Sequence, residues 1–210
     1  MRIIMRTLII SGGKISDYEY IKERILQFGA EMIICADSGY NHAVRMNLPA
    51  DLIAGDFDSI GEVPDNVKTA CYPSEKNQTD TEIALNHARE AGAQDILIIG
   101  ATGTRADHML TNIFMLKNCL ARGEKAEIID ENNKIRITDS QLEISGAKGG
   151  LISIVPLSDC AGVTTRGLKY PLENARLKLG EGRGVSNVMT GAEASVSVEK
   201  GMLLVIEARD

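Results

Sequence analysis

The hydrophobic periodicity of this 210-residue chain changes part-way along its length. Up to about Ala121, short apolar runs alternate with segments whose apolar residues recur at helical spacing. From about Glu124 onward, apolar and polar residues alternate in short runs that glycine-rich connectors separate. Repeated strand–helix–strand units predict a mostly parallel sheet with helices on both faces, and the later pattern predicts an antiparallel β-sandwich. We therefore expect an α/β domain over residues 1–122 and a β-sandwich domain over residues 123–210.

Capping signals place several helix boundaries in the first domain. Ser16 and Thr79 are each followed three residues later by glutamate, which is the spacing of a capping box. Gly29 can end the first helix. The last helix is predicted over residues 107–121, with its apolar stripe facing the sheet (Leu110, Ile113, Phe114 and Leu120).

Charge and composition exclude several classes of protein. The formal net charge of −6 argues against a nucleic-acid binder, which usually has a basic face, but a bound metal would still allow a nucleotide. The apolar run near the N-terminus is too short for a signal sequence or a membrane span, so we expect no membrane association. The 4 cysteines form no CxxC pair and lie in or beside apolar runs. Buried, reduced thiols of this kind are typical of a cytoplasmic protein.

Acidic residues follow the predicted strands or begin predicted helices. The carboxyl ends of parallel strands share one rim of a sheet, and ligands bind there. Carboxylates brought together repel one another and need a cation. Magnesium is the natural choice, because it prefers oxygen ligands and is usually shared with substrate phosphates. The sequence therefore predicts a magnesium and phosphate site on this rim, with these acids in it: Asp37, Asp56, Asp58, Asp80 and Asp107.

Each of these segments also has a purely structural interpretation. In an extended Asp56-Phe57-Asp58 the two carboxylates would project to the same side and could hold a metal, but Gly and Asp are equally typical of a turn. The segment 79–82 caps a helix well, and the same helix start, with Lys76 nearby, could bind phosphate. The loop 100–108 is not a Walker A motif.

That loop places Arg105, whose planar guanidinium suits phosphate, beside a helix start. A simple connection, with Asp107 as the N-cap and His108 packing, fits the loop as well. The segment 184–187 on its own reads as a turn between strands.

Taken together, the motifs resemble those of the thiamine pyrophosphokinase family. Their order and spacing match along nearly the whole chain. Thr104 and Asn77 depart from the family pattern, in which Gly and Asp are expected. The matching segments are Ala36-Asp37-Ser38-Gly39, Gly55-Asp56-Phe57-Asp58-Ser59, Gln78-Thr79-Asp80-Thr81, Gly103-Thr104-Arg105-Ala106-Asp107-His108 and Gly184-Val185-Ser186-Asn187.

The resemblance implies magnesium-dependent transfer of the pyrophosphoryl group of ATP to the thiamine hydroxyl, giving thiamine diphosphate and AMP. It implies a homodimer with the site at the subunit interface. The implied catalytic residues are Asp56, Asp58, Asp80 and Arg105, of which the three aspartates bind magnesium and Asp58 or Asp80 accepts the hydroxyl proton. The implied ATP-binding residues are Asp37, Lys76, Thr79, Thr102, Arg105, Asp107 and His108. The implied thiamine-binding residues are Gln78, Ser186 and Asn187.

Other functions share part of this pattern. A pyrophosphokinase for another small alcohol, such as a hydroxymethylpterin, would share the acidic loop. A non-catalytic sensor of nucleotide or thiamine could use the same fold, although it need not retain the acidic residues. A hydrolase with Asp-bound metals often includes histidine ligands, which this pattern lacks.

Overall fold

The structure is a computed structural model in which residues 4–61, 65–103 and 105–209 are described, so Thr104 lies outside the described residues. The chain divides into two compact units, Met1–Glu131 and Asn132–Asp210. The boundary predicted at 122/123 lies before a strand, Lys125–Ile129, that pairs in parallel within the first unit. Among the described residues, no helix is long and apolar enough to cross a membrane.

The first unit contains a parallel sheet, as its alternating pattern predicts. The strands are β1 (Met5–Ile10), β2 (Met32–Ala36), β3 (Leu52–Gly55), β4 (Lys68–Cys71), β5 (Ala93–Ile99) and β6 (Lys125–Ile129). They run in the order β6-β5-β1-β2-β3-β4, and every neighbouring pair is parallel. Consecutive side chains of a strand point to opposite faces, and both Leu8 and Ile9 are fully buried, so both faces of the sheet are covered. The helices are α1 (Tyr18–Phe28), α2 (Gly39–Met46), α3 (Asp80–Glu90) and α4 (Ala106–Ala121).

The caps of α1 and α3 follow the sequence signals with one exception. Gly29 ends α1, and the Thr79 hydroxyl caps α3 by accepting from the backbone N–H of Glu82 at 3.2 Å. The prediction that Ser16 caps α1 is wrong, because Asp17 accepts from the Tyr20 N–H at 3.0 Å. Ser16 instead donates its N–H and hydroxyl to one carboxylate oxygen of Glu131.

The predicted inward stripe of α4 is only partly correct. Ile113 is buried, but Leu110 is 46% and Phe114 is 52% exposed. The polar side chain of Asn112 lies inside, where its amide donates to the Ala101 carbonyl at 2.8 Å. Apolar residues surround much of this helix, so periodicity allows two orientations, and the Asn112 hydrogen bond belongs to the observed one. The buried residues are Asn112, Ile113, Met115, Leu116 and Cys119.

The second unit is the predicted antiparallel sandwich. Its strands are β7 (Asn133–Thr138), β8 (Gln141–Ser145), β9 (Leu151–Pro156), β10 (Cys160–Arg166), β11 (Ala175–Leu177), β12 (Asn187–Val188), β13 (Glu193–Ser197) and β14 (Leu203–Ala208). One sheet has the order β12-β9-β14-β7 and the other β11-β10-β13-β8. Ile152 and Val205 of the first sheet belong to the same buried cluster as Val163 and Val196 of the second.

Candidate active site

A cavity of about 670 Å³ lies within the first unit, beyond the carboxyl ends of its parallel strands. Its walls come from the loops after β1, β2, β3, β4 and β5 and from the first turns of α3 and α4. This is the rim on which open α/β sheets bind their ligands.

A cluster of carboxylates lies in this cavity. One oxygen from each of Asp37, Asp56 and Asp58 lies within 4.8 Å of the others. Asp37 follows β2, and the other two follow β3. Because nearby negative charges repel, such an arrangement is stable only if a cation or a proton compensates it. The donors are all hard oxygens, which is the chemistry that Mg²⁺ requires.

Asp37 is the buried member of this cluster. Its residue is 8% exposed, and its Oδ1 has no hydrogen-bond partner among the described residues. Burial, together with the charges of Asp80, Asp56 and Asp58, raises the pKa of this carboxyl, although an N–H of Ser38 opposes the shift. A buried carboxylate oxygen without a partner is costly, and a metal ligand bond would remove that cost. The cluster therefore fits a magnesium ion, with Asp37 as a member in addition to its predicted nucleotide role.

The Asp56-Phe57-Asp58 segment brings its carboxylates together by a turn. Phe57 has a φ of 65°, in the left-handed region, so the expected extended conformation is wrong. The Asp58 N–H donates to Asp56 Oδ1 at 3.3 Å. This N–H, with Ser74 and the charge of Lys76, holds the pKa of Asp56 below its usual value. The Phe57 ring packs against the hydrophobic core, which compensates for the strained backbone.

Lys76 is the cation that lies closest to these acids in the described structure. Its Nζ is 2.7 Å from Asp80 Oδ1 and 3.8 Å from Asp56 Oδ2. Burial lowers the pKa of this ammonium, but its bond to Asp80 and the charges of Asp56 and Asp37 outweigh burial and raise it. Asp80, predicted as a metal ligand, is therefore paired with Lys76 and lies outside the three-carboxylate cluster.

The remaining predicted nucleotide residues fall into two groups. Thr79, Thr102, Arg105 and His108 line the cavity, as does Gln78. The Thr102 hydroxyl donates to Asp130 Oδ2 at 2.8 Å, so its position is fixed.

Asp107 does not line the cavity. It is exposed and pairs with Arg105 at 2.6 Å, and this bond lowers its pKa to about 2. The pair therefore stays ionised over the physiological pH range.

Several cavity residues were not predicted from the sequence. Gly12 and Gly13 follow β1 and line the cavity, and so does Asn112. A Cβ atom added to Gly13 would lie 2.3 Å from the Thr102 carbonyl oxygen, so only glycine allows the two loops to meet. A glycine pair directly after the first strand was the available signal, because it stands where the acidic motifs stand after the other strands.

The two residues predicted to bind thiamine from the second unit differ in their surroundings. Ser186 is exposed, with a φ of 57°, and its N–H donates to Ser153 Oγ at 3.0 Å. Asn187 is 3% exposed. Its Oδ1 accepts from the N–H groups of Tyr170 and Val188, and its Nδ2 donates to the Tyr170 carbonyl.

Comparison with known proteins agrees with this geometry. The profile of the thiamin pyrophosphokinase catalytic domain matches residues 25–129, and the profile of the vitamin B1 binding domain of the same family matches residues 132–203. The chain belongs to the thiamine pyrophosphokinase family. Thiamine pyrophosphokinase of Bacillus subtilis (strain 168) is 36% identical over 165 residues, which cover 74% of this chain and 77% of that protein.

Solved structures of this family share the fold over the whole chain. The crystal structure of thiamine pyrophosphokinase from Bacillus subtilis superposes with a TM-score of 0.85 at 28% identity, covering 98% of this chain and 99% of that one. Thiamin pyrophosphokinase from Geobacillus thermodenitrificans gives a TM-score of 0.84 at 26% identity, covering 98% of each chain. The expected family, fold class and enzyme class are thereby confirmed, and the pterin and sensor alternatives are not favoured.

Proposed function

We propose that the cavity binds ATP with Mg²⁺ and that the protein transfers the pyrophosphoryl group of ATP to the hydroxyl of thiamine. The products are thiamine diphosphate and AMP. The observation that carries this proposal is the cluster of Asp37, Asp56 and Asp58, in which a buried carboxylate oxygen has no partner among the described residues.

Asp56 and Asp58, with Asp37 and Asp80 beside them, would hold the metal. Bound Mg²⁺ neutralises charge on the transferred phosphates and orients them for in-line attack. Lys76 supplies a further positive charge beside the same carboxylates. On arrival of the triphosphate it is placed to exchange Asp80 for phosphate oxygen, because ammonium and phosphate attract strongly.

The nucleotide side of the cavity comprises the residues near the starts of α3 and α4. Arg105 binds phosphate oxygens with its planar guanidinium, and its exposed pair with Asp107 is weak enough to rearrange. Free N–H groups at the start of α3 add to the attraction for phosphate. Thr79, Thr102 and His108 contact the nucleotide from the cavity wall.

In the transfer step the thiamine hydroxyl oxygen forms a bond to the β-phosphorus of ATP. The bond from that phosphorus to the oxygen bridging to the α-phosphate breaks, and AMP leaves with the electron pair. Asp58 or Asp80 accepts the hydroxyl proton.

Thiamine is a cation, so an acidic cavity favours it as well as the metal. Gln78 lines the cavity, and the exposed Ser186 of the family motif would hydrogen-bond thiamine. Asn187, whose amide is engaged, would hold the Ser186 turn in place rather than reach the ligand freely. We also propose that the protein is a cytoplasmic homodimer with its site at the subunit interface. Light scattering tests the dimer.

A coupled assay of AMP release tests this function. AMP should appear with thiamine, ATP and Mg²⁺ together, and not when EDTA replaces the metal. Thiamine monophosphate, whose hydroxyl is already esterified, is the matched control and should release none. Turnover of a hydroxymethylpterin without turnover of thiamine would refute the assignment, and binding without any AMP would favour a sensor.

A further inference from the structure

The side chain of His42 bridges a tyrosine and the wall of the cavity, although it does not line the cavity itself. Its Nε2 is 2.8 Å from the carbonyl oxygen of Gly13, and its Nδ1 is 2.7 Å from the hydroxyl of Tyr18. A carbonyl oxygen only accepts, so Nε2 carries the proton, and Nδ1 must accept from the tyrosine. Burial lowers the pKa of His42, which favours this neutral form.

Both partners of His42 are themselves fixed. The guanidinium of Arg45 lies 4.1 Å from the centre of the Tyr18 ring, which restricts the tyrosine. Gly13 donates its N–H to the Gly100 carbonyl at 2.7 Å. His42 and Gly100 therefore hold the same residue from opposite ends of its backbone, on the wall between the loops after β1 and β5.

The start of α2 is positioned to make this bridge possible. A Cβ atom added to Gly39 would lie 2.0 Å from the Ile10 carbonyl oxygen, so α2 begins in direct contact with the end of β1. That contact brings His42, one turn further along α2, within reach of Gly13. The bridge thus links the first turn of α1, the helix α2 and the loop after β1 that contains Gly12 and Gly13.

We propose that His42 is a positioning residue for nucleotide binding: by fixing the Gly13 carbonyl it fixes the position of the cavity wall that Gly12 and Gly13 form. The inference rests on the proposed function, because it takes ATP as the occupant. Backbone groups that line a cavity bind a ligand through the shape of the wall and through fixed peptide dipoles. If this part of the wall becomes mobile, ground-state binding of the nucleotide weakens. His42 touches no acidic residue of the cluster in the described contacts, so the chemical step is retained.

Binding of α,β-methylene-ATP with Mg²⁺, measured by calorimetry without thiamine, tests this proposal apart from turnover. His42→Ala should weaken binding by about 5- to 10-fold, since one or two hydrogen bonds are lost. Tyr18→Phe should weaken it by about 2- to 4-fold. His42→Gln keeps an amide donor for Gly13 and should recover most of the affinity. In turnover, the KM for ATP should rise while kcat stays within about 2-fold of wild type.

The matched control is Tyr72→Phe. The Tyr72 hydroxyl lies 2.9 Å from Nε2 of His87, whose other nitrogen faces Glu90 instead of the cavity wall. Deleting this hydroxyl removes the same chemical contact elsewhere and should leave nucleotide binding unchanged. An equal loss of affinity in both tyrosine variants would overturn the proposal, as would unchanged affinity in His42→Ala.

If His42→Ala does not fold, Tyr18→Phe and His42→Gln decide the question by the same measurement. A wild-type protein that binds the analogue but does not turn over thiamine would contradict the proposed reaction alone.

Discussion

One buried polar side chain in each unit makes an instructive pair. Asp37 of the first unit and Asn187 of the second are both nearly inaccessible, at 8% and 3% exposure. The Asn187 amide accepts two backbone N–H groups and donates to a carbonyl, all within its own unit. Asp37 keeps one buried oxygen without a partner among the described residues, beside two further carboxylates.

The difference separates two reasons for burying polar atoms. A side chain whose hydrogen bonds are satisfied internally stabilises the fold, and its removal leaves buried backbone groups unpaired. A carboxylate left unsatisfied among like charges destabilises the protein until something binds it. We therefore expect substitutions in the two regions to have opposite effects on stability and activity.

The largest effect is expected for Asp58→Asn. Loss of a carboxylate from the cluster removes a proposed metal ligand and a proposed base, so turnover should fall by roughly 1,000-fold or more while the fold survives. AMP release and the melting temperature measure the two effects. Asp65→Asn, an exposed aspartate outside the cavity, is the control and should behave as wild type. Near-wild-type turnover in Asp58→Asn would remove the metal role.

Asp37→Asn should lower turnover by about 100-fold and yet stabilise the metal-free protein. The folded-state pKa of Asp37 lies above its ordinary value, so its ionised form costs stability above that pKa, and the cost disappears as the pH falls through it. The variant should therefore melt about 2–4 °C higher at neutral pH, with the gap closing in acid.

Added Mg²⁺ provides a second readout on Asp37. It should raise the melting temperature of the wild type and have little effect on Asp37→Asn. A less stable variant at neutral pH would mean that the Asp37 carboxylate is satisfied, and the contrast with Asn187 would fail.

Asn187→Ala should show the opposite balance. Two backbone N–H groups and one carbonyl lose their partners, so the free energy of unfolding should fall by about 2–3 kcal/mol in urea titrations. The kcat at saturating thiamine should change little. If stability is unchanged and only thiamine binding weakens, the amide binds ligand directly, as the sequence motif predicts.

Ser186→Ala should have the smallest effect. The exposed hydroxyl contributes little to stability, but the KM for thiamine should rise by about 3- to 10-fold with the KM for ATP unchanged. The reverse pattern would place Ser186 on the nucleotide side. Because Ser186 and Asn187 are adjacent, this pair of variants separates ligand contact from structural support within one turn.

The sequence predicts most of the fold because local signals agree with the tertiary structure. Apolar runs of strand length, the Thr79 cap and the Gly29 stop are all found where expected. Failures occur where a long-range contact decides. Ser16 donates to Glu131, and the neighbouring Asp17 caps α1 instead. Asn112 lies on the inward-facing side of α4, where its amide donates to a loop carbonyl.

The candidate site was predictable in composition and less so in geometry. The positions of Asp37, Asp56 and Asp58 after strand ends predict that they belong to one site, because the carboxyl ends of parallel strands lie on one rim of the sheet. The pairing of Asp80 with Lys76 and the left-handed Phe57 depend on side-chain packing and backbone strain, which spacing does not encode. The part of the cavity wall that Gly12 and Gly13 form was not predicted, because a glycine allows close backbone contact and has no side chain whose chemistry marks a site.

The strand order has a consequence for synthesis on the ribosome. Strand β1 pairs with both β2 and β5, and the cavity takes residues from Gly12 through to Asn112. A nascent chain that has emerged only as far as the acidic loop after β3 still lacks β5, the second neighbour of β1 at the centre of the sheet. Sequence-distant pairing of this kind delays folding until the later strand emerges. Nucleotide affinity should therefore appear late and abruptly in a series of arrested chains, once the start of α4 has left the exit tunnel.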